Sequence, residues 1–479
     1  MAVLNVPARQ ADGVPMVVDL DGSLLHTDTL VESLFDVARR QPLQLLRLPA
    51  WLARGRAHLK RQLALRASVD VSVLPRADDL VAHLRALKQA GRHLVLATGA
   101  DAQIAQAVAD ELGLFDTVLA SDGRLNLSGR AKRDRLVAEF GERGYDYVGN
   151  SRRDLPVWAV ARRALLVRPS RQLAAAAAGV AEVERHFGDG RPDWRDYLGA
   201  TRPQHWLKNL LLLVPLLAVH QLYDLPKLLV ALLGFVSFSL AASGIYLLND
   251  LFDLSADRRH PDKKARALAS GRIPLLQGLL LVPALWLAAA LLAGALSPSF
   301  VGVLAGYVTL MLAYTMRLKT YPIVDTLVLA VGYSLRIYAG SLAVAVAVSP
   351  WLLVCSTALF FGLALLKRYA ELVTLRPGLG PQGRVRGYAV GDAVLIAGLG
   401  MAADGIAVVL LALYPVVAAP EAPHLTVWLL SALLLVWIGH MWLMAHRGRI
   451  RDDLVAFALR DPISRIFGVA VASLLLVLR

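Results

Sequence analysis

The sequence predicts two architectures in one chain: an N-terminal α/β domain on a parallel sheet with a helical cap, then an all-α bundle of nine transmembrane helices. Composition supplies the first observation. The 479 residues are 56% hydrophobic and 18% charged, against about 45–50% and about 25% in soluble domains. The excess is uneven. Residues 1–200 carry ordinary charge density, while 205–479 hold long apolar runs cut by short charged stretches. The second observation is the length of the apolar runs, which are short in the first part and of membrane-spanning length in the second.

In the first part, 15–20, 93–98, 117–121, 145–150 and 164–167 read as short strands apolar on both faces, with helical patterns between them. That alternation predicts a parallel sheet wound with helices, whose reactive groups sit at the carboxyl ends of strands. Residues 28–90 are helical only and form the cap. Within 37–69, Arg39, Arg40, Arg47, Arg54, Arg56, Lys60, Arg61 and Arg66 occur with no acid. Leu and Trp51 interleave with them. This is either an interfacial helix near anionic lipid or the solvated face of a cap helix. An Ala-rich helix and the Gly188-Asp189-Gly190-Arg191-Pro192 stretch make 171–200 a linker. The domains are therefore 1–170, with its cap at 28–90, and 201–479.

Nine spans are expected at 207–222, 226–248, 273–295, 299–316, 322–346, 350–366, 393–418, 425–445 and 463–478. The loops near 249–272, 317–320, 367–388 and 446–462 are rich in Arg and Lys, and the opposite loops hold none. Positive loops lie inside, so the N-terminal domain and these loops are expected on the cytoplasmic face of an inner membrane. An odd number of spans then leaves the C-terminus outside. The net charge of +14 fits such loops. No aromatic-studded basic groove is visible, so nucleic acid is not an expected partner. One cysteine, Cys355, excludes a disulfide framework or a cysteine zinc site. Residues 1–13 lack the apolar core of a signal peptide.

At the end of the second expected span stands Asn249-Asp250-Leu251-Phe252-Asp253-Leu254-Ser255-Ala256-Asp257. Asp250, Asp253 and Asp257 are spaced i, i+3, i+7 and share one helical face. Carboxylates so clustered repel unless a cation neutralises them, and oxygen ligands favour Mg²⁺ with substrate phosphates. Acidic groups beside a membrane are usually functional. This motif in a nine-helix context resembles the UbiA superfamily of intramembrane prenyltransferases over about 200–479. The resemblance implies two pseudo-repeated helical halves around a cavity. Most members carry a second aspartate-rich motif after the sixth span. Here the loop reads Lys367-Arg368-Tyr369-Ala370-Glu371, with Arg384, Arg386 and Tyr388 beyond. Together with Arg202-Pro203-Gln204-His205-Trp206-Leu207-Lys208-Asn209 and His260-Pro261, this is similar to the decaprenyl-phosphate phosphoribosyltransferase branch, although that branch commonly has Arg-Pro where this chain has Arg266-Ala267.

That resemblance implies transfer from phosphoribosyl pyrophosphate to a polyprenyl phosphate, with Mg²⁺ on Asp250, Asp253 and Asp257. Asn249, Lys208, Asn209, Lys264, Arg266, Lys367, Arg368 and Tyr369 are candidate substrate contacts. Each Lys or Arg is equally readable as a positive-inside residue. Two other functions stay open: an aromatic prenyltransferase using a polyprenyl pyrophosphate with an inactive soluble domain, and a transporter or channel with a regulatory domain. Oligomerisation is left open.

In the first part, Asp19-Leu20-Asp21-Gly22 follows a strand. Two carboxylates two residues apart on such a loop suit Mg²⁺-assisted phosphoryl chemistry, the first as nucleophile and the second as proton shuttle. Thr98, Lys132 and Gly149-Asn150-Ser151-Arg152-Arg153-Asp154 follow in order. Together these resemble the haloacid dehalogenase (HAD) superfamily over about 14–170, a Rossmann-like fold. The resemblance implies Asp19 as nucleophile, Asp21 as acid/base, Thr98 and Lys132 as phosphate ligands, and Asp19, Asp21 and Asp154 on Mg²⁺. Asn150 stands where many members have aspartate.

Overall fold

The computed structural model describes residues 13–188, 192–219, 221–374, 384–385, 387–417, 424–450 and 454–477. It divides into two compact units, one of residues 1–201 and 246–282, the other of 202–245 and 283–479. The segment 246–282, expected in the membrane domain, therefore packs with the first unit.

The first unit opens with β1 (Met16–Val18), α1 (Thr29–Arg40), α2 (Leu48–Ala53), α3 (Arg56–Ala64) and α4 (Asp78–Gln89). It continues through β2 (Leu94–Asp101), α5 (Ala102–Leu112), β3 (Thr117–Ser121), α6 (Arg130–Phe140), β4 (Asp146–Gly149), α7 (Leu155–Trp158), β5 (Ala164–Val167), α8 (Arg171–Ala178), β6 (Val183–Phe187) and α9 (Trp194–Ala200). The sheet is parallel throughout, in the order β3-β2-β1-β4-β5-β6. Successive strand residues point to opposite faces. Met16, Val18, Leu94 and Leu96 accordingly join one apolar layer, and Val17, Val95, Ala97 and Tyr147 the other. Burial on both faces is why these strands read as unbroken apolar runs.

The five expected strands are present. The sixth, β6, extends the sheet past residue 170 and lies inside the expected linker. Its sequence Val183-Glu184-Arg185-His186-Phe187 is polar because the strand forms the sheet edge, with its three central residues exposed. Residues 189–191 of that linker lie outside the described residues. The cap region is helical, as expected. Its basic run divides: Arg61 pairs with Asp101 at 3.1 Å and Arg66 lies 4.8 Å over the Trp51 ring, while Leu43 and Leu46 are about four-fifths exposed.

The chain then runs through a 3₁₀ stretch (Pro203–Leu213), α10 (Val214–Ala218), α11 (Leu225–Phe252), α12 (Leu254–Arg259) and α13 (Leu275–Gly294). It ends with α14 (Pro298–Met316), α15 (Val324–Val344), α16 (Pro350–Val373), α17 (Ala393–Val417), α18 (His424–His446), α19 (Leu454–Arg460) and α20 (Pro462–Val477). Among the described residues, seven helices are long and apolar enough to cross a membrane, not nine. The difference lies at the two ends. The first expected span divides into the 3₁₀ stretch and the five-residue α10, where Pro215 lacks the N–H that would continue the ladder from the preceding turn. The last is α20, described over Pro462–Val477, with 478–479 outside the described residues.

Candidate functional site

In the first unit, β1 delivers Asp19 to its carboxyl end, 8% exposed, where the Asp19 amide donates to Val148 O at 3.0 Å. Lys132, two residues into α6 and 3% exposed, places Nζ 2.6 Å from Asp19 Oδ1 and 2.9 Å from Tyr147 Oη. Tyr147 donates to Asp154 Oδ1 at 2.8 Å. The other Asp154 oxygen accepts from the Asn150 and Ser151 amides and from Ser151 Oγ. Asp19, Lys132 and Asp154 thus meet through one hydrogen-bonded chain, and Tyr147 is the link that the sequence did not reveal. Burial pushes the Asp19 carboxyl up; Lys132 draws it back and Asp154 adds to the rise.

Asp21 Oδ1 accepts from the Thr29 amide at 2.8 Å, so it caps the start of α1. Burial, aided by the Asp28 charge, pushes Asp21 up to about 7, the range suited to proton transfer at neutral pH. Gly22 has φ +77°, and a Cβ there would sit 2.0 Å from Asn150 Nδ2; only glycine satisfies both the turn and that contact. Thr98 is fully buried inside β2, within the stretch between Ala97 and Asp101 where the register shifts, and its hydroxyl accepts from the Ala100 amide at 3.0 Å. Lys60 reaches from α3 to Gly99 O at 2.5 Å and Asn126 Oδ1 at 2.9 Å. Burial lowers its pKa, and Asp21 opposes that shift.

The aspartate motif also belongs to the first unit. The helix carrying it breaks at Asp253, between α11 and α12, although the Asp253 and Asp257 amides keep i→i−4 bonds to Asn249 and Asp253 at 2.9 and 2.8 Å. Asp250 and Asp257 are 6% and 3% exposed and converge on Arg266, whose Nη1 lies 3.3 Å from Asp250 Oδ1 and 2.5 Å from Asp257 Oδ2. Asp253 instead accepts from Asn249 Nδ2 at 2.9 Å. Asp250 and Asp257 thus meet on one face, and the Asn249–Asp253 contact is an i, i+4 contact along the same chain. Among the described residues no three carboxylate, imidazole or thiol groups converge as a ready metal cage. Arg266 already holds positive charge between two buried carboxylates. An all-oxygen donor set of this kind fits a hard divalent cation. Lys264 is exposed.

In the second unit, Asn209 is buried, donating to Ser239 Oγ at 3.0 Å and accepting from Arg336 Nε at 2.7 Å. Arg336 also donates to Tyr307 Oη at 2.7 Å and Gly332 O at 2.6 Å. Arg368 is 1% exposed and donates to Asp325 Oδ2 at 2.8 Å and to Glu371. Its guanidinium is committed to internal carboxylates. Lys367 and Lys208 are half-buried. The Tyr369 hydroxyl lies 2.9 Å from His446 Nδ1. The side chains of Arg384 and Arg386 lie outside the described residues. Arg336 and Asp325 stand in no motif, yet charged residues inside the apolar α15 are a readable signal.

Seven span-length apolar helices and a buried, cation-paired aspartate motif define a multi-pass membrane protein with a polar site. The model of the UbiA prenyltransferase family matches residues 210–467, and the chain belongs to that family of transferases. The uncharacterized protein y4nM of Sinorhizobium fredii is 37% identical over 471 residues, covering 96% of this chain and 90% of that protein. The nodulation protein NoeC of Azorhizobium caulinodans is 34% identical over 273 residues, 56% of this chain and 89% of its own. The decaprenyl-phosphate phosphoribosyltransferase of Mycolicibacterium smegmatis is 37% identical over 177 residues, 36% of this chain and 56% of its own.

Proposed function

We propose that the chain is a bifunctional lipid-phosphosugar enzyme: it transfers phosphoribose from phosphoribosyl pyrophosphate to a polyprenyl phosphate, and its HAD-like domain then removes the 5-phosphate. The convergence of Asp250 and Asp257 on one cation position carries the first half. Mg²⁺ held by Asp250, Asp253 and Asp257 would neutralise the departing pyrophosphate. The polyprenyl phosphate oxygen attacks C1 of the ribose, and the C1–O bond to pyrophosphate breaks with its electron pair leaving on oxygen, through an oxocarbenium-like sugar. Lys264, Lys208 and Lys367 are the cations proposed for the remaining phosphates. Support comes from the similarity to the M. smegmatis enzyme. It also comes from the Lys367, Arg368 and Glu371 cluster in place of a second set of aspartates, which disfavours an aromatic prenyltransferase.

The chain Lys132–Asp19–Tyr147–Asp154 supports the second half. Asp19 attacks phosphorus, the sugar C5 oxygen leaves with the proton from Asp21, and water cleaves the aspartyl phosphate with Asp21 as base. Lys132, already on Asp19 Oδ1, meets the incoming phosphate, and Asp19, Asp21 and Asp154 supply oxygen donors for a second Mg²⁺. The distribution of Arg and Lys among the loops supports a cytoplasmic N-terminal domain and an external C-terminus.

The test is isotope transfer from labelled phosphoribosyl pyrophosphate into polyprenyl phosphate by the purified protein, with lipid mass spectrometry. Asp250→Ala is expected to abolish lipid product. Asp19→Asn is expected to leave transfer intact and accumulate the 5-phosphorylated lipid. Identical product ratios in wild type and Asp19→Asn would refute the phosphatase half. Turnover only with a polyprenyl pyrophosphate and an aromatic acceptor would refute the transfer half.

A further inference from the structure

Three contacts within the first unit fix the loop that follows the aspartate motif. Arg258, next to Asp257 and 9% exposed, donates from Nη2 to Glu32 Oε1 of α1 at 2.6 Å and from Nε to Ala269 O at 3.1 Å. Glu32 is itself buried, and the same Oε1 accepts from Thr27 Oγ1 at 2.6 Å. Farther along the loop, Gly271 has φ +68°, and a Cβ there would lie 2.2 Å from His26 O. Arg168, at the end of β5, donates to the carbonyls of Gly271 and Arg272 at 3.0 and 3.4 Å. Between these anchors lies Arg266, the residue that bridges Asp250 and Asp257. Its carbonyl accepts from the Ser270 amide and hydroxyl, both at 2.9 Å.

A buried Glu–Arg pair is expensive to desolvate, and hydrophobic residues would serve stability as well. Its retention beside a motif aspartate therefore calls for a positional reason. The pair ties α12 to the return of the loop through one guanidinium, and so sets both Asp257 and the carbonyl three residues beyond Arg266. We propose that Glu32, a cap residue of the α/β domain, is a positioning residue for the transferase: through Arg258 it holds the loop 258–272, and with it Asp257 and Arg266, in the arrangement that binds the pyrophosphate-bearing substrate. The α/β domain is then a structural part of the transfer site, separate from any hydrolysis at Asp19. The inference rests on the phosphoribosyl-transfer reading.

The experiment compares full-length wild type with Glu32→Ala, Glu32→Gln and, as a control, Glu139→Ala at an exposed position of α6. It reads steady-state transfer and amide hydrogen exchange of peptides covering 258–272. For Glu32→Ala, KM for phosphoribosyl pyrophosphate is expected to rise about tenfold or more, as for other residues that orient a binding group, with kcat within about twofold. Amides of 258–272 should lose protection while those of β1–β5 keep theirs. Glu32→Gln keeps an acceptor for Thr27 and Arg258 and should fall between the two; it decides the matter if Glu32→Ala does not fold. Glu139→Ala should match wild type in both readouts. Unchanged KM, or unchanged protection of 258–272, in the folded Glu32 variants overturns the proposal. Wild type inactive with phosphoribosyl pyrophosphate would instead overturn the parent reading, and the exchange data would still report on the anchor.

Discussion

Replacing Asp325 by alanine should cost more stability than almost any other single change in the second unit. The Asp325 side chain is fully buried and that of Arg368 is 1% exposed. One carboxylate oxygen takes Arg368 Nε at 2.8 Å and the other takes Tyr388 Oη at 2.5 Å. Burial and that bond push the Tyr388 phenol up to about 12, so it remains a donor across the working pH range. Tyr388 Oη in turn accepts from the Ile323 amide at 2.7 Å. Ile323 has φ +68°, a conformation that costs a β-branched residue about 1–3 kcal/mol and persists only where its surroundings dictate it. Asp325→Ala removes one of the two carboxylates of a buried guanidinium and leaves Glu371, so the loss is at most the about 3–5 kcal/mol typical of a broken buried pair, and it also removes the acceptor that orients Tyr388.

The measurement is the thermal unfolding midpoint in detergent, followed by tryptophan fluorescence, with Asp262→Ala as an exposed control. Tyr388→Phe, which loses a donor and an acceptor but no charge, is expected to cost about 1–3 kcal/mol. The double variant Asp325→Leu, Arg368→Met should recover part of the loss, because no buried guanidinium then lacks its partner, while the Tyr388 hydroxyl still lacks its acceptor. An Asp325→Ala midpoint equal to the control, or a double variant no better than the single one, would refute this reasoning.

Two further outcomes follow from the first unit and the loops. The folded pKa of Asp21, about 7, lies above its unfolded value of about 3.9; its contribution is intact below that value and lost as pH rises through about 7. Asp21→Asn should therefore resist pulse proteolysis of the α/β domain better than wild type near pH 8, by at most about 4 kcal/mol, with the gap closing near pH 4; a pH-independent gap contradicts it. A cysteine at position 262 in a Cys355→Ser background should label with an impermeant reagent only from the cytoplasmic face, and labelling only from the opposite face reverses the topology.

Much of the first unit was legible because each signal was local. β1 to β5 are buried on both faces and so read as apolar runs, and Asp19, Lys132 and Asp154 stand where strand and helix ends place reactive groups. β6 escaped notice because an edge strand with its middle exposed looks like a polar linker. In the membrane part, seven helices of span length stand among the described residues; hydropathy registers apolar length, and a 3₁₀ stretch such as Pro203–Leu213 leaves that length unchanged. The basic run at 37–69 could not be divided in advance, because whether Lys60 faces lipid or the Gly99 carbonyl depends on a strand 39 residues away.

The residues least legible are those defined by a partner. Nothing in the spacing of Arg368 distinguishes a substrate cation from a buried counter-ion, yet Asp325, 43 positions earlier, makes it the second. Glu32 and Arg258 are separated by 226 positions, and neither stands in a motif. The same logic separates the three motif aspartates, which periodicity treats alike. Asp250 and Asp257 face Arg266, a residue the loop brings back, whereas Asp253 accepts from Asn249, one turn earlier. Sequence identified the residues able to bear charge chemistry, but return of the chain decides which of those charges are already spent. That is why Lys264, exposed beside the motif, is a better candidate for a substrate phosphate than Arg368, which is already committed to two carboxylates.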